Sequence, residues 1–284
     1  MGILNWKGLP VVSGRAWQGV RYFSTLRMAP GWTIDTGGGK GWAPAGGASS
    51  APFDTFNLGD HVGDDMGAVR INRQRLAAAL PSEPVWLQQI HGTDVYDADM
   101  RCLIPWSDKV AKAGAALPAG VVPTADAAIT QTKGRVLCIM TADCLPVLLS
   151  NDEGTIVGLA HAGWRGLAHG VLEATMAALQ ERVPHASWRA WIGPAISQAA
   201  FEVGDEVRQL FVEHDKQAVA CFKKGRPQRW LADLPALAAQ RLKNLGVSSI
   251  DLSGLCTHAE RDLFYSYRRD GATGRMVTVA WLES

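Results

Sequence analysis

Two apolar, β-prone runs, Cys144 to Ser150 and Thr155 to His161, flank the polar tetrapeptide Asn151-Asp152-Glu153-Gly154. Short apolar runs around a polar turn that ends in glycine predict a β-hairpin. With the turn symmetric about Asp152 and Glu153, Ser150 faces Thr155, Leu148 faces Val157 and Cys144 faces His161. Directly opposed residues hold their Cβ atoms roughly 4.5–5.5 Å apart, close enough for a thiol and an imidazole to share a proton or a metal ion. Both strands are apolar on both faces, with Leu145, Val147 and Leu149 on one and Pro146 and Leu148 on the other. Strands of that kind are buried on both sides, so Cys144 and His161 are expected where a sheet meets a pocket.

The remaining elements follow from the same patterning. Asp64 to Leu80 reads as a helix stopped by Pro81, and Leu167 to Val183 as a second helix closed by Pro184. Asp233 is placed to cap a third, with Pro235 just inside it and Gly246 beyond its end. Strands are expected at Val85–Ile90, which delivers His91, and at Ala125–Thr130, Arg135–Thr141, Trp188–Ile192, Ile250–Leu255 and Met276–Leu282. Residues 29–52 and about 99–123 are rich in Gly, Pro, Ala or Ser and read as irregular loops. Candidate site residues fall on both sides of the second loop, so residues 1–284 read as one domain. The fold class is α+β, a mixed α/β sandwich of mixed sheets flanked by helices.

Composition narrows the function classes. Apolar residues make up 47% and charged residues 19%, and the formal charge is +1, which suits a globular chain without an electrostatic partner. No nucleic acid and no membrane is expected as a partner, because no basic stripe alternates with aromatics and no run approaches the roughly 18 apolar residues of a span. The first residues carry neither a basic segment nor an apolar segment of a secretory signal. Five cysteines without a CxxC pair indicate a reducing, cytoplasmic setting. No pattern marks an oligomer, so a monomer or weak homo-oligomer is expected.

Several residues carry candidate chemistry, each with an ordinary alternative. A buried Cys is usually filling; the opposed His161 is what raises Cys144 above that reading. After His161 comes Ala162-Gly163-Trp164-Arg165-Gly166, a strand–turn–helix junction that suits an anion, with Arg165 as a bidentate donor. Gly-containing turns of this kind are also common without a ligand. His91 and His61 have no local partner motif, and single histidines of this kind are more often hydrogen-bonded structural residues. Asp143 is the nearest carboxylate for acid–base work. Arg268 lies among aromatics, where cation–π packing is the alternative. Cys256 either borders a site or fills space.

Longer blocks carry a resemblance. Gln88-Gln89-Ile90-His91-Gly92, Ala142-Asp143-Cys144-Leu145-Pro146 and Ala160-His161-Ala162-Gly163-Trp164-Arg165-Gly166 are similar to the signature blocks of the YfiH/laccase-domain family. So are Phe56-Asn57-Leu58-Gly59, His61-Val62-Gly63-Asp64-Asp65, Ile192-Gly193-Pro194-Ala195-Ile196, Phe201-Glu202-Val203-Gly204 and Phe264-Tyr265-Ser266-Tyr267-Arg268-Arg269-Asp270. Departures lie in the two loops: extra residues separate Ser24-Thr25-Leu26-Arg27 from Gly46-Gly47, which leaves Arg27 without an assigned role.

The resemblance implies a fold similar to the CNF/YfiH-like cysteine hydrolase fold. It also implies a catalytic metal on His91, Cys144 and His161, zinc first and copper as the alternative. Cys144, His161, His91 and Asp143 become the catalytic candidates, and Arg165, Asn57, Arg268 and Cys256 those for binding substrate and phosphate. The implied activity is phosphorolysis of adenosine, inosine and methylthioadenosine, with adenosine deamination besides. A phenol-oxidising copper enzyme and a metal-free cysteine hydrolase acting on peptidoglycan precursors stand as alternatives.

Overall fold

The computed structural model describes residues 2–27, 46–107, 110–111 and 114–284. Two sheets pack face to face. One is an antiparallel sheet ordered Gly2–Trp6, Leu9–Ser13, Val20–Thr25, Met276–Leu282, Leu137–Thr141. The other is mixed, ordered Val247–Leu252, Trp188–Ile192, Leu145–Asn151, Val157–Ala162, Ala127–Thr130, Val95–Asp97, Cys102–Ile104. Its parallel pairings are Trp188–Ile192 with Val247–Leu252 and Val95–Asp97 with Ala127–Thr130.

Strand alternation sorts the core into layers. Leu148, Leu159, Trp191, Tyr22, Ile139 and Leu282 fill the space between the sheets. Leu145, Val147, Leu149 and Ala160 point the other way, under the helices Val171–Arg182 and Leu234–Asn244. The far face of the antiparallel sheet, with Phe23, Cys138, Val277 and Trp281, is covered through Leu76 by the helix Met66–Ala78. The result is an α+β sandwich with helices outside both sheets. Among the described residues no helix is long and apolar enough to cross a membrane.

The Asp233 cap forms where the sequence puts it, and the helix expected from Asp64 to Leu80 starts at Met66 behind an Asp65 cap. Asp233 accepts from the Ala236 N–H at 3.0 Å, with Pro235 in the first turn, and Asp65 accepts from the Ala68 N–H at 2.8 Å. Trp188–Ile192 and Met276–Leu282 are strands with the expected bounds.

The hairpin forms, but in a different register. Pro146, not Cys144, faces His161, and Ser150 faces Val157. Asn151 causes the shift. It ends the strand, and its Oδ1 accepts the N–H groups of Thr155 at 2.9 Å and Ile156 at 3.3 Å, which closes a wider turn through Gly154 at φ 63°. A slip of two residues leaves each side chain on its expected face. Cys144 is therefore diagonal to His161, on the same face.

Other expectations fail for identifiable reasons. Val85–Ile90 is not a strand; it touches its neighbours through the isolated bridges Val85–Leu137 and Gln88–Thr124. The Gln89 carboxamide replaces the missing ladder, donating to the Met140 carbonyl at 2.9 Å and accepting its N–H at 2.8 Å. The expected helix Leu167–Val183 is two helices, Trp164–His169 and Val171–Arg182, split at Gly170 with φ 101°. The strand expected at Ile250–Leu255 is Val247–Leu252 and ends short of Cys256. The 99–123 stretch contains the strand Cys102–Ile104 as well as irregular chain. Most of the other expected loop, residues 29–45, lies outside the described residues. All five cysteines are free thiols.

Candidate metal centre

Cys144 lies where the chain crosses from one sheet to the other, between the strand ending at Thr141 and the strand starting at Leu145. Asp143 makes the corner at φ 93°, a conformation that costs a non-glycine residue free energy. Its carboxylate holds the corner in place, accepting from the Thr257 hydroxyl and the Arg268 N–H, both at 2.7 Å. The acid–base candidate thus borders the same cavity as the thiol, with both carboxylate oxygens committed to the scaffold.

His91 comes from a turn that also has positive φ, at 61°. One side chain builds that turn. The Asp126 carboxylate, 0% exposed, accepts the backbone N–H groups of Ile90 at 3.1 Å, His91 at 2.9 Å and Gly92 at 2.7 Å. The same carboxylate lies 2.7 Å from His161 Nδ1, which turns Nε2 of that ring toward the cavity. Asp126 therefore fixes two ring-bearing segments that are distant in sequence. Its only signal in the sequence is a lone acid at the head of the apolar run Ala127–Ile129.

One donor atom from each of His91, Cys144 and His161 lies within 4.8 Å of the others. Cys144 Sγ is 3.9 Å from His91 Nε2, and the two imidazoles meet edge-on with centroids 4.8 Å apart. Sulfur and nitrogen donors on a tetrahedral zinc ion are about 3.5 Å apart, given bond lengths near 2.3 and 2.05 Å. The Cys144–His91 pair is within a few tenths of an ångström of that separation, and the trio as a whole, within 4.8 Å, would draw in slightly around an ion. A carboxylate on the non-ligating nitrogen of a histidine is the usual outer support of a metal ligand. The residues present fit a metal ion.

The thiol is electrostatically prepared. Burial pushes it up, but the charge and hydrogen bond of His161, followed by those of His91, bring it down to about 6. Burial also disfavours a charged His161, yet the Cys144 thiolate and Asp126 together hold that imidazole well above its ordinary value. Asp126, raised by burial, is lowered below the carboxylate range by His161 and the backbone N–H groups it accepts. Each partner thus favours the charged form of the other, thiolate beside imidazolium.

The trio forms one wall of a cavity of about 490 Å³. Arg165, Arg268 and Arg275 line it, together with the rings of Trp164, Phe201 and Tyr267. Arg165 stacks on Trp164 and Arg268 on Phe201, at 4.5 and 4.9 Å from guanidinium to ring centre. Arg268 also donates to the Glu202 carbonyl at 2.8 Å, so both the cation–π reading and the cavity reading of this residue apply. Burial lowers the Arg275 guanidinium, against the opposing pull of Cys144 and Asp143. Nothing in the sequence marks Arg275, whose placement depends on Asn57 Oδ1 accepting its N–H at 2.8 Å.

Asn57 and Cys256 lie outside this lining. The Asn57 amide donates to the Gly59 carbonyl and Asp64 and accepts from the N–H groups of Gly59 and Arg275, which leaves no free position for a substrate. It reaches the cavity only through Arg275. Cys256 Sγ is 3.0 Å from the Ser197 hydroxyl, away from the trio. The anion site expected at a long helix start loses its basis, because Trp164–His169 is a short helix; Arg165 reaches the cavity as a side chain. Arg27 pairs with Asp54 at 3.1 Å and packs over Tyr265, bracing loops.

Residues 43–283 match the family model described as multi-copper polyphenol oxidoreductase laccase. The purine nucleoside phosphorylase YfiH of Escherichia coli (strain K12) is 46% identical over 239 residues, covering 84% of this chain and 90% of that protein. A purine nucleoside phosphorylase of Xylella fastidiosa (strain Temecula1) is 44% identical over 271 residues, covering 93% of each. The crystal structure of Neisseria meningitidis protein NMB0706 superposes with a TM-score of 0.79 at 39% identity, over 98% of this chain and 100% of that one.

Proposed function

The chain belongs to the multi-copper polyphenol oxidoreductase laccase family, and from that premise we propose that it is a zinc-dependent purine nucleoside phosphorylase that also deaminates adenosine. The observation that carries this reading is a metal-ready trio sharing one cavity with three guanidiniums. Relatives named purine nucleoside phosphorylase support it.

In phosphorolysis a phosphate oxygen bonds to C1′ of the ribose, the bond from C1′ to the purine nitrogen breaks, and the base leaves with a proton. Phosphate must therefore be held with its negative charge balanced and its oxygen aimed at the sugar. Arg165, Arg268 and Arg275 supply that charge as planar, multidentate donors. Trp164, Phe201 and Tyr267 offer ring faces for the purine and exclude water. Zinc on His91, Cys144 and His161 would supply Lewis-acid polarisation of a substrate oxygen and activate water for deamination. Asp126 keeps His161 in the tautomer that turns Nε2 to the cavity.

The test is release of hypoxanthine from inosine with and without phosphate, for wild type and Cys144→Ala at matched metal loading. Phosphate-dependent release by wild type alone is expected. Metal-loaded, folded protein that releases no base from inosine or adenosine would sink the reading. Elemental analysis of protein purified without added metal separates zinc from copper, which a His₂Cys set also suits.

One observation favours a second reading. Asp126, His161 and Cys144 form a carboxylate–imidazole–thiol line with a depressed thiol, the arrangement of a cysteine nucleophile. Activity that survives strong chelation but not alkylation of Cys144 would select it.

A further inference from the structure

Gly163 separates the hairpin strand ending at Ala162 from the helix Trp164–His169, and it occupies the N-cap position. Its backbone, at φ −61° and ψ 158°, is open to every L-residue. The N-cap position itself favours Ser, Thr, Asp or Asn, whose side chains accept a hydrogen bond from a first-turn N–H; here no side-chain cap exists. Backbone conformation thus permits another residue, and helix capping mildly favours one.

The space around Gly163 explains the glycine. A Cβ at this position would lie 2.8 Å from His91 Cδ2, 2.9 Å from Cys144 Sγ and 3.4 Å from His91 Nε2. It would enter the gap between two of the three donor atoms, which are 3.9 Å apart. Neither donor can easily make room. The His91 turn is pinned by three N–H bonds to Asp126, and the Cys144 corner by the bonds of Asp143 to Thr257 and Arg268. Gly166, in the same motif, has a different reason: its Cβ would meet the Gly92 carbonyl at 2.9 Å, a backbone contact.

We propose that Gly163 is a positioning residue of the metal centre, a side-chain vacancy that lets one ion contact both His91 and Cys144. The proposal rests on the zinc reading above and assigns its geometry to a residue that is itself no ligand.

The experiment is a zinc titration of the metal-stripped full chain, read by competition with a chromophoric chelator. It is paired with thermal melts of wild type, Gly163→Ala, Cys144→Ala and the double variant. Expected are zinc binding by wild type, an affinity at least about tenfold weaker in G163A, and a melting temperature lowered by G163A in the wild-type background but less so once the Cys144 thiol is removed. Wild-type zinc affinity in G163A, or an equal melting change in both backgrounds, overturns the proposal while the zinc reading stands. Absence of zinc binding by wild type overturns both. Should G163A fail to fold, the same change is made with His91→Ala and Cys144→Ala together: a folded triple variant supports the crowding and an unfolded one, with H91A/C144A itself folded, refutes it.

Discussion

Cys138 lies in the strand that leads into the crossing between the sheets and Cys144 in the crossing itself, and their thiols are driven in opposite directions. Cys138 lies in the strand Leu137–Thr141, packed under the helix Met66–Ala78 among Phe23, Val277 and Trp281. Burial pushes its thiol far up, and a small opposing pull from Arg73 does not offset that. Cys144 is also pushed up by burial, yet His161 and His91 reverse the sign and bring it to about 6. Cys138 is buried and Cys144 partly exposed, but burial raises both thiols, so burial alone does not set the sign. The difference comes from two imidazoles, and those imidazoles are placed by Asp126.

The largest way to break the contrast is to delete the reactive thiol. Cys144→Ala should lower kcat/KM for inosine phosphorolysis by roughly a thousandfold or more, since it removes a ligand or a nucleophile rather than a supporting contact. Steady-state assays on protein of matched folded fraction would read this; near-wild-type turnover would remove Cys144 from the chemistry. Asp126→Asn ranks next. Its amide would set N–H groups against the imidazole and backbone donors that the carboxylate now accepts. We expect zinc affinity and kcat/KM to fall by about 10–100-fold. The Cys144 thiol should also ionise at higher pH, with Cys138 unaffected.

How far the sequence carries can be judged on these same residues. The hairpin, the last strand and the Asp233 cap are local: their apolar runs and turn residues lie within a few positions of one another, and all form. Cys144 and His161 do come together, though Asn151 widened the turn and moved the register by two. His91 could not be placed from its own neighbourhood. Its turn is ordered by a carboxylate far along the chain and docked through Gln89 onto the Met140 backbone. The N-terminal strand Val20–Thr25 has the chain's final strand as one partner, which no local pattern shows; Leu9–Ser13 pairs only with its chain neighbours, and its short apolar run was within reach of the sequence. Arg275 depends on Asn57, a contact with no local pattern. Non-local hydrogen bonds to single side chains are what periodicity cannot show.

A third measurement sharpens the comparison without changing a residue. The thiolate is the form that reacts with iodoacetamide, so in metal-stripped protein the alkylation rate at Cys144 should rise as pH increases through about 6 and level off above about 7. A thiol at its ordinary value would keep climbing past about 8. Cys138 should stay unlabelled across this range while the protein is folded, because it is both inaccessible and held protonated. Peptide mass mapping after timed labelling distinguishes the sites. A Cys144 profile still rising at pH 9 would mean that the imidazoles do not set its charge.

The smallest effect belongs to Cys138→Ala. Cys138 is 1% exposed and touches no group of the centre, so its thiol acts as a small apolar filler. Removing one sulfur from a packed layer leaves a minor void, and the expected loss is about 1–2 kcal/mol of stability. For a chain of this size that is a fall in melting temperature of roughly 2–4 °C. Phosphorolysis per folded molecule and zinc affinity should both match wild type. A C138A variant that melted normally but lost activity would show that the antiparallel sheet transmits more to the cavity than a passive wall does, and the contrast between the two cysteines would have to be redrawn as a coupling.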